Sequence, residues 1–368
     1  MNLMRAAVLE SAPGGLHIEE IPIPEPGRGE ILVRVAACGV CHTDLHVMKA
    51  EVAFPTPAVM GHEITGTVVA LGAGVSGPAV GTEVACAFIM PCGFCPACGA
   101  GRDDLCDNFF AMNRLKGTLY DGTSRLRRQN GSPLAMYSMA GLAEYSVVPA
   151  TDVFPVAPGL PLAESAVLGC AIFTAYGAVR HAAELRGGER IAVVAAGGVG
   201  INIVQIARAF GASQIIAVDV RAEKLDAAKR LGATDLVNAR EVDAVARVRE
   251  LTDGRGVDAA FEVLGLPQTF TQAFEMIRDG GRMIGVGIAP VKATAAIEIT
   301  RLVRRELRII GSYGARTRTD MPEIIRLAAQ GIFRPETIVT ERFPLAEADT
   351  AYQALARGDI VGRAIVVP

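Results

Sequence analysis

The sequence predicts an α/β protein in which a doubly wound parallel sheet is joined to a second, mainly β domain. Three observations predict it. The chain has 368 residues, too many for one ordinary core. Its first part reads as short strands separated by Gly/Pro turns, whereas from about residue 186 apolar strands alternate with helical periods. Four cysteines between Cys92 and Cys106 mark a small lobe inside the first part.

Pro22, Pro24 and Pro26 punctuate the start, and Ile31–Val35 and Ile64–Ala70 read as strands. The lobe has the spacing C-x2-C-x2-C-x7-C over Cys92, Cys95, Cys98 and Cys106, with Gly and Pro between the thiols. Four thiolates this close fold back around one tetrahedral Zn²⁺, and with all four positions filled the site is closed and structural. Chance or a pair of disulfides is the competing reading. Asn113–Ser138 is polar and glycine-containing and reads as a long surface loop or hairpin.

In the second part, a strand over Ile191–Ala196 runs into a helix ending at Phe210, and a strand over Gln214–Asp219 into a helix ending at Leu231. Weaker strands follow at Asp235–Asn238, Val257–Val263, Arg282–Gly287 and Leu307–Ser312, and Ala364–Val367 is strand-like. The first strand enters Ala195-Ala196-Gly197-Gly198-Val199-Gly200, a Rossmann turn whose first glycine is replaced by Ala195. Gly197 lets backbone approach a pyrophosphate, Gly200 lets helix pack on strand, and the helix N-terminus favours phosphate. Alone this turn is a weak signal. Asp219, at the end of the next strand, makes it strong, because a carboxylate there accepts hydrogen bonds from ribose hydroxyls and repels a 2′-phosphate. The reading is NAD over NADP, softened by Arg221, with Lys224 grouped beside it. An ordinary strand-end cap is the bland alternative for Asp219. Ala195 is expected at negative φ, where a methyl is tolerated.

Composition bounds the class. Half the residues are apolar (51%) and the net charge is −3, with no basic run. Nucleic-acid binding is therefore not expected, and the cysteine lobe is poor support for a DNA-binding finger. The apolar stretch Ile191–Ala207 is broken by glycines, Asn202 and Gln205, so no membrane span is expected. The first residues lack the long apolar segment of a signal peptide, and a cytoplasmic location is the expectation. There, eight cysteines are metal ligands and buried thiols more readily than disulfides.

A second group of ligand types lies outside the lobe: Cys41-His42-Thr43-Asp44-Leu45-His46, then Gly61-His62-Glu63, then Cys170. Two thiolates and an imidazole form a zinc set with an open fourth position. Spacing alone does not select these three, since residues so far apart meet only in a fold. Cys38 and Cys41 also form a C-x-x-C, which allows a redox pair, but Cys38 reads as a buried bystander because Cys41 is claimed by zinc. Cys86 reads as core, and His17 and His181 carry no signal.

Taken in order, Gly61-His62-Glu63, the four-cysteine lobe, Gly169-Cys170-Ala171-Ile172-Phe173-Thr174 and the Ala195–Gly200 turn resemble the zinc-containing medium-chain alcohol dehydrogenases. The similarity covers essentially the whole chain. Gly117-Thr118-Leu119-Tyr120-Asp121-Gly122-Thr123-Ser124-Arg125 resembles the loop of the longer, liver-type and formaldehyde-dehydrogenase-like members. The resemblance implies a Rossmann NAD-binding domain over 171–314. It implies a GroES-like catalytic domain over 1–170 and 315–368, with the structural-zinc lobe at about 91–107.

It further implies that Cys41, His62 and Cys170 hold a catalytic zinc, with Glu63 behind it as a transient ligand. Asp44 would orient His62, Thr43 would take the alcohol proton, and His46 would end the relay to water. His42 stands where many relatives have Arg and would face the pyrophosphate. Thr174, Val199, Val263, Val286 and Ile288 would line the nicotinamide end, and Phe88 the substrate pocket. Two zincs per chain, NAD, a small alcohol or carbonyl substrate and a homodimer or homotetramer follow from the same resemblance. The expected reaction interconverts an alcohol and an aldehyde or ketone by hydride transfer. The alternatives are the same chemistry on a thiol adduct of formaldehyde or a hydroxyacyl-CoA, a zinc hydrolase with an inactive Rossmann domain, and a non-catalytic dinucleotide-binding member.

Overall fold

Six parallel strands form the sheet of the second part of the chain. Their order across the sheet is Asp235–Asn238, Gln214–Asp219, Arg190–Val194, Val257–Glu262, Ile277–Gly285, Arg308–Gly311. This is the doubly wound order in which the connection reverses between Arg190–Val194 and Val257–Glu262, the place where such sheets bind ligands. The inner strands Arg190–Val194, Gln214–Asp219 and Val257–Glu262 are largely apolar and buried because both faces are covered. Val194, Ile216, Val218, Val237, Phe274 and Met283 are buried together in one core. Each large side chain so buried stabilises by roughly 1.5–3 kcal/mol.

The computed structural model describes residues 2–368. The chain divides into two units, one of residues up to Phe173 together with Arg316–Pro368, the other Thr174–Ala315. The Gln214–Asp219 and Asp235–Asn238 strands have the bounds expected from sequence. The helices after the first two strands run Gly200–Ala209 and Ala222–Arg230. Asn202 and Gln205 do not interrupt the first of them. Asn202 Nδ2 donates to Gly198 O at 2.6 Å and Gln205 Nε2 to Asn202 Oδ1 at 2.5 Å, so the buried amides are satisfied locally. No helix among the described residues is long and apolar enough to cross a membrane.

Ala195 overturns one expectation: its φ is +78°, not negative. Ala195 N donates to Val218 O at 2.9 Å, which continues the sheet ladder, and the chain must then reverse at once into the helix. A Cβ on Gly200 would lie 2.0 Å from Ala195 O, so the reversal is tight and the third glycine is obligatory. The left-handed conformation at Ala195 is what such a turn demands, and its methyl costs about 1 kcal/mol there.

The other unit carries two sheets. A five-stranded sheet has the order Leu16–Pro22, Leu3–Leu9, Ala58–Val59, Pro133–Met136, Leu126–Arg127. A seven-stranded sheet runs Val153–Pro155, Glu83–Cys86, Ile64–Leu71, Glu30–Gly39, Arg363–Val367, Val339–Pro344, with Tyr145–Pro149 also paired to Glu30–Gly39. The region expected as a loop or hairpin contains the antiparallel pair Leu126–Arg127 and Pro133–Met136. Its ends are not surface residues, however. Asn113 and Ser138 are buried, and Asn113 Nδ2 donates to Ser138 O at 2.9 Å.

The strand register brings distant segments together. Cys38 of Glu30–Gly39 pairs with Ile64 of its antiparallel neighbour, and Gly39 N donates to Glu63 O at 2.8 Å. On the other side Ile365 pairs with Gly39. Three chain segments, near residues 40, 63 and 364, therefore end at one sheet corner.

Candidate metal centres and dinucleotide turn

The short helix His42–Met48 begins at Cys41, just past the end of Glu30–Gly39. His62 and Glu63 immediately precede the strand Ile64–Leu71. Gly61 sits at φ +97°, and a Cβ there would lie 2.7 Å from Leu142 N and 2.8 Å from Cys38 Sγ. Only glycine fits, and the turn it allows delivers His62 inward. Cys170 follows the helical turns of Glu164–Gly169. One ligand atom from each of Cys41, His62, Glu63 and Cys170 lies within 4.8 Å of all the others, and all four residues are buried.

The donor set fits zinc. Cys170 Sγ lies 3.6 Å from His62 Nε2, and a tetrahedron with Zn–S near 2.3 Å and Zn–N near 2.05 Å has an S···N edge of about 3.6 Å. His62 Nδ1 faces Asp44 at 3.1 Å, which leaves Nε2 for the metal. Glu63 Oε2 is buried with no hydrogen-bond partner, while Oε1 pairs with Arg363.

The four groups perturb one another strongly. The Cys170 thiol donates to Cys41, which holds the Cys41 pKa well below the ordinary thiol range and pushes that of Cys170 well above it. Burial works against charge on His62, but Asp44 and the Cys41 thiolate outweigh it and raise its pKa to about 10. Burial raises the Glu63 carboxyl despite Arg363. Cys38 is buried outside the set, its thiol pushed up by desolvation.

The four-cysteine lobe has its own geometry. Cys92 Sγ and Cys98 Sγ are 4.0 Å apart, and Cys95 Sγ and Cys106 Sγ 3.9 Å. A ZnS₄ tetrahedron has edges of about 3.8 Å. Backbone N–H groups of Cys92, Cys95, Cys98 and Phe109 donate to the sulfurs of Cys106, Cys92, Cys95 and Cys106 at 3.3–3.5 Å. All eight cysteines are free thiols, so the disulfide reading is set aside. Arg318 anchors the lobe, with Nη2 donating to Cys98 O at 2.6 Å and to Asp103 Oδ1 at 2.7 Å. A third grouping, Glu10, His17 and Glu19, is largely exposed, and Arg128 already bonds both carboxylates.

Around the first centre, Thr43 Oγ1 lies 3.5 Å from Cys41 Sγ. His46 Nδ1 pairs with Glu51 Oε2 at 2.5 Å. His42 is exposed at the start of the helix. The Phe88 and Tyr137 rings stand edge-on to His62 at 6.1 and 5.9 Å, and Phe173 packs on Phe88 at 5.7 Å. The Arg114 guanidinium lies 4.4 Å from the Tyr137 ring centre and 5.9 Å from that of Phe88.

In the dinucleotide turn, Asp219 Oδ2 accepts from Ala196 N at 2.8 Å. Its Oδ1 accepts from Val220 N at 2.8 Å and Arg221 N at 3.0 Å. The carboxylate thus ties the second strand to the glycine turn. With two acceptor positions per oxygen, it keeps capacity on Oδ2. Arg221 is paired with Glu223, and Lys224 is half-buried one residue on. Gly197 has open space where a Cβ would be. Thr174 is buried, while Val199, Val263, Val286, Gly198 and Ile288 are partly exposed.

Sequence reasoning missed five side chains here: Glu51, Arg114, Tyr137, Tyr352 and Arg363. Tyr352 Oη donates to Asp44 Oδ2 at 2.9 Å. None carried a motif. Glu51 alone had a local signal, an acid five residues after His46.

The chain resembles known proteins over most of its length. Residues 27–158 match the alcohol dehydrogenase GroES-like domain model, and residues 198–330 the zinc-binding dehydrogenase model. The chain is 34% identical over 359 residues to the NDMA-dependent alcohol dehydrogenase of Amycolatopsis methanolica, covering 96% of each protein. It is 32% identical over 371 residues to the S-(hydroxymethyl)glutathione dehydrogenase of Candida maltosa, covering 98% of this chain and 96% of that protein. The crystal structure of benzyl alcohol dehydrogenase from Acinetobacter calcoaceticus superposes with a TM-score of 0.93 at 30% identity, covering 100% of this chain and 99% of that one.

Proposed function

The chain belongs to the zinc-dependent, GroES-like alcohol dehydrogenase family, and on that premise we propose that it is an NAD-linked alcohol dehydrogenase of the cytoplasm. It interconverts a primary or secondary alcohol and the corresponding aldehyde or ketone. The observation that carries this reading is the buried Cys41–His62–Cys170 set, with its 3.6 Å S···N edge, in the same chain as a dinucleotide turn closed by Asp219.

Cys41, His62 and Cys170 would hold the catalytic zinc, with Glu63 in reach, and Cys92, Cys95, Cys98 and Cys106 the structural one. Zinc in the first set supplies Lewis-acid polarisation of the substrate oxygen, and NAD supplies the hydride acceptor. Gly197, Gly198, Val199 and Gly200 cradle the pyrophosphate. Asp219, flanked by Arg221 and Lys224, selects the ribose diol. Thr174, Val263, Val286 and Ile288 line the nicotinamide end.

Thr43 takes the proton of the alcohol, and His46 passes it to water. Because Glu51 occupies Nδ1 of His46, Nε2 is the nitrogen that receives the proton. Asp44 holds His62 in the tautomer that presents Nε2. The Phe88 and Tyr137 rings give the carbinol end an apolar wall that excludes water. The exposed edge strand Arg308–Gly311 supports a homodimer, as does the helix Ile299–Arg304, whose Ile299 and Val303 are 74% and 69% exposed.

A panel of primary and secondary alcohols followed by NADH absorbance, on protein of measured zinc content, tests the proposal. NADH formed from at least one alcohol, with NADP the poorer cofactor, is the expected result. Zinc-replete protein inactive toward all of them overturns it. The relative acting on S-(hydroxymethyl)glutathione and the Gly117–Arg125 loop, pinned by Arg125 to Glu30 and Asp121, support adding formaldehyde–thiol adducts to the panel as a second reading.

A further inference from the structure

We infer that Tyr352 is a positioning residue for the metal-binding imidazole of His62, acting through Asp44. The inference rests on the assignment of Cys41, His62 and Cys170 to zinc, but not on which alcohol is oxidised.

Tyr352 lies on the inner face of the helix Ala348–Arg357, which also buries Ala348, Ala351, Ala354 and Leu355. Packing alone accounts for an aromatic ring at that position. It does not account for the hydroxyl, which costs free energy when buried unless it is bonded. Tyr352 is 0% exposed, and its hydroxyl donates to Asp44 Oδ2 at 2.9 Å. Asp44 is itself 0% exposed, and Gly61 N donates to its Oδ1 at 3.1 Å. The remaining donor is His62 Nδ1, at 3.1–3.2 Å from the two oxygens.

The carboxylate is therefore fixed from two sides, by a backbone amide and by the phenol, before it meets the imidazole. Gly61 N comes from the turn that delivers His62, so it moves with the ligand. The phenol comes from a helix far along the chain and supplies an independent fixed point. Without it, Asp44 has no side-chain donor other than His62, and its plane is free to follow the ring. A ring so loosened no longer holds Nε2 toward the two sulfurs. Partners behind a ligating histidine typically matter by 10- to 100-fold in metal affinity.

The test is zinc retention, read without turnover. Zinc-loaded wild type and Tyr352→Phe are exposed to a chelator, and release from the two sites is followed by a metallochromic dye. The Cys41 set of the variant should lose zinc about 10- to 100-fold faster, while the four-cysteine lobe releases at the wild-type rate. Asp44→Asn should show a similar acceleration, and adding Tyr352→Phe to Asp44→Asn should change little further. Cobalt in place of zinc should show altered d–d bands in Tyr352→Phe. Wild-type release in Tyr352→Phe overturns the inference, and so does equal acceleration at both sites. The same holds if Tyr352→Phe has its full effect in the Asp44→Asn background, because the tyrosine would then act by packing alone. Should Tyr352→Phe fail to fold, Asp44→Asn carries the test: release from the Cys41 set at the wild-type rate would overturn the inference.

Discussion

The two candidate metal groups are built by opposite means. The four-cysteine lobe gathers its ligands from one short run, and backbone N–H groups close against their sulfurs. The Cys41–His62–Cys170 set draws on three separated segments, and side chains hold it: Asp44 and Tyr352 behind His62, Arg363 behind Glu63. A site made by local backbone carries its own scaffold. A site made by converging side chains takes its geometry from the whole unit. The first suits a structural role, and the second suits one in which a position must stay open.

Removing a ligand from each group should separate these roles. Cys41→Ser should abolish turnover while leaving a folded chain that binds NADH and retains the zinc of the lobe, as elemental analysis and NADH titration will show. Cys95→Ser should act on folding instead, because structural zinc binding is coupled to it. At roughly 2–4 °C per kcal/mol for a domain of this size, loss of a few kcal/mol lowers Tm by about 10 °C in a thermal melt. A stable Cys95→Ser with an unfolded Cys41→Ser would mean that the roles are exchanged.

Asp219 sharpens the comparison by doing both jobs at once: it is a side chain that stitches backbone. Its substitution by glycine would orphan the N–H groups of Ala196, Val220 and Arg221, whereas Asp219→Asn keeps one acceptor oxygen and is the milder variant. Like-charge repulsion of a 2′-phosphate costs several kcal/mol. The ratio of kcat/KM for NAD over NADP should therefore fall by about a hundredfold in Asp219→Asn. Equal use of NADP by the wild type would refute the assignment.

The relay is next in size. His46→Gln should slow alcohol oxidation by roughly ten- to a hundredfold at low pH, with zinc content and NADH binding unchanged. Added imidazole should restore part of the rate. A profile indistinguishable from wild type between about pH 6 and 9 would place the proton's exit elsewhere. Smallest is Ala195→Gly. Relief of the left-handed alanine, about 1 kcal/mol, is partly offset by the greater entropy of glycine in the unfolded chain. Denaturant melts should show a change between zero and about +1 kcal/mol.

The same contrast explains what could be read from the sequence. The strand Gln214–Asp219 was legible because an unbroken apolar run ends in a carboxylate. The lobe was legible because its ligands are neighbours in the chain. That Cys41 and His62 meet is a property of strand register, Cys38 opposite Ile64, which no spacing encodes. Tyr352 was invisible for a further reason: in sequence it is one apolar position in an amphipathic helix, and only its hydroxyl's partner gives it meaning. The positive φ of Ala195 is not encoded in its residue type but in the closeness of Ala195 O to Gly200. The turn dictates the conformation, and the methyl accommodates it.

The return of Arg316–Pro368 to the first unit has a consequence in time. During synthesis, every ligand of both metal groups has left the ribosome once the chain is about 200 residues long. At that moment the four-cysteine lobe holds all its sulfurs and the backbone donors that close on them. The other group has its ligands and Asp44, but neither the phenol at 352 nor the guanidinium at 363. Zinc offered to a nascent chain should enter the lobe first, and the second group should become competent only after the unit has closed on its returning segment.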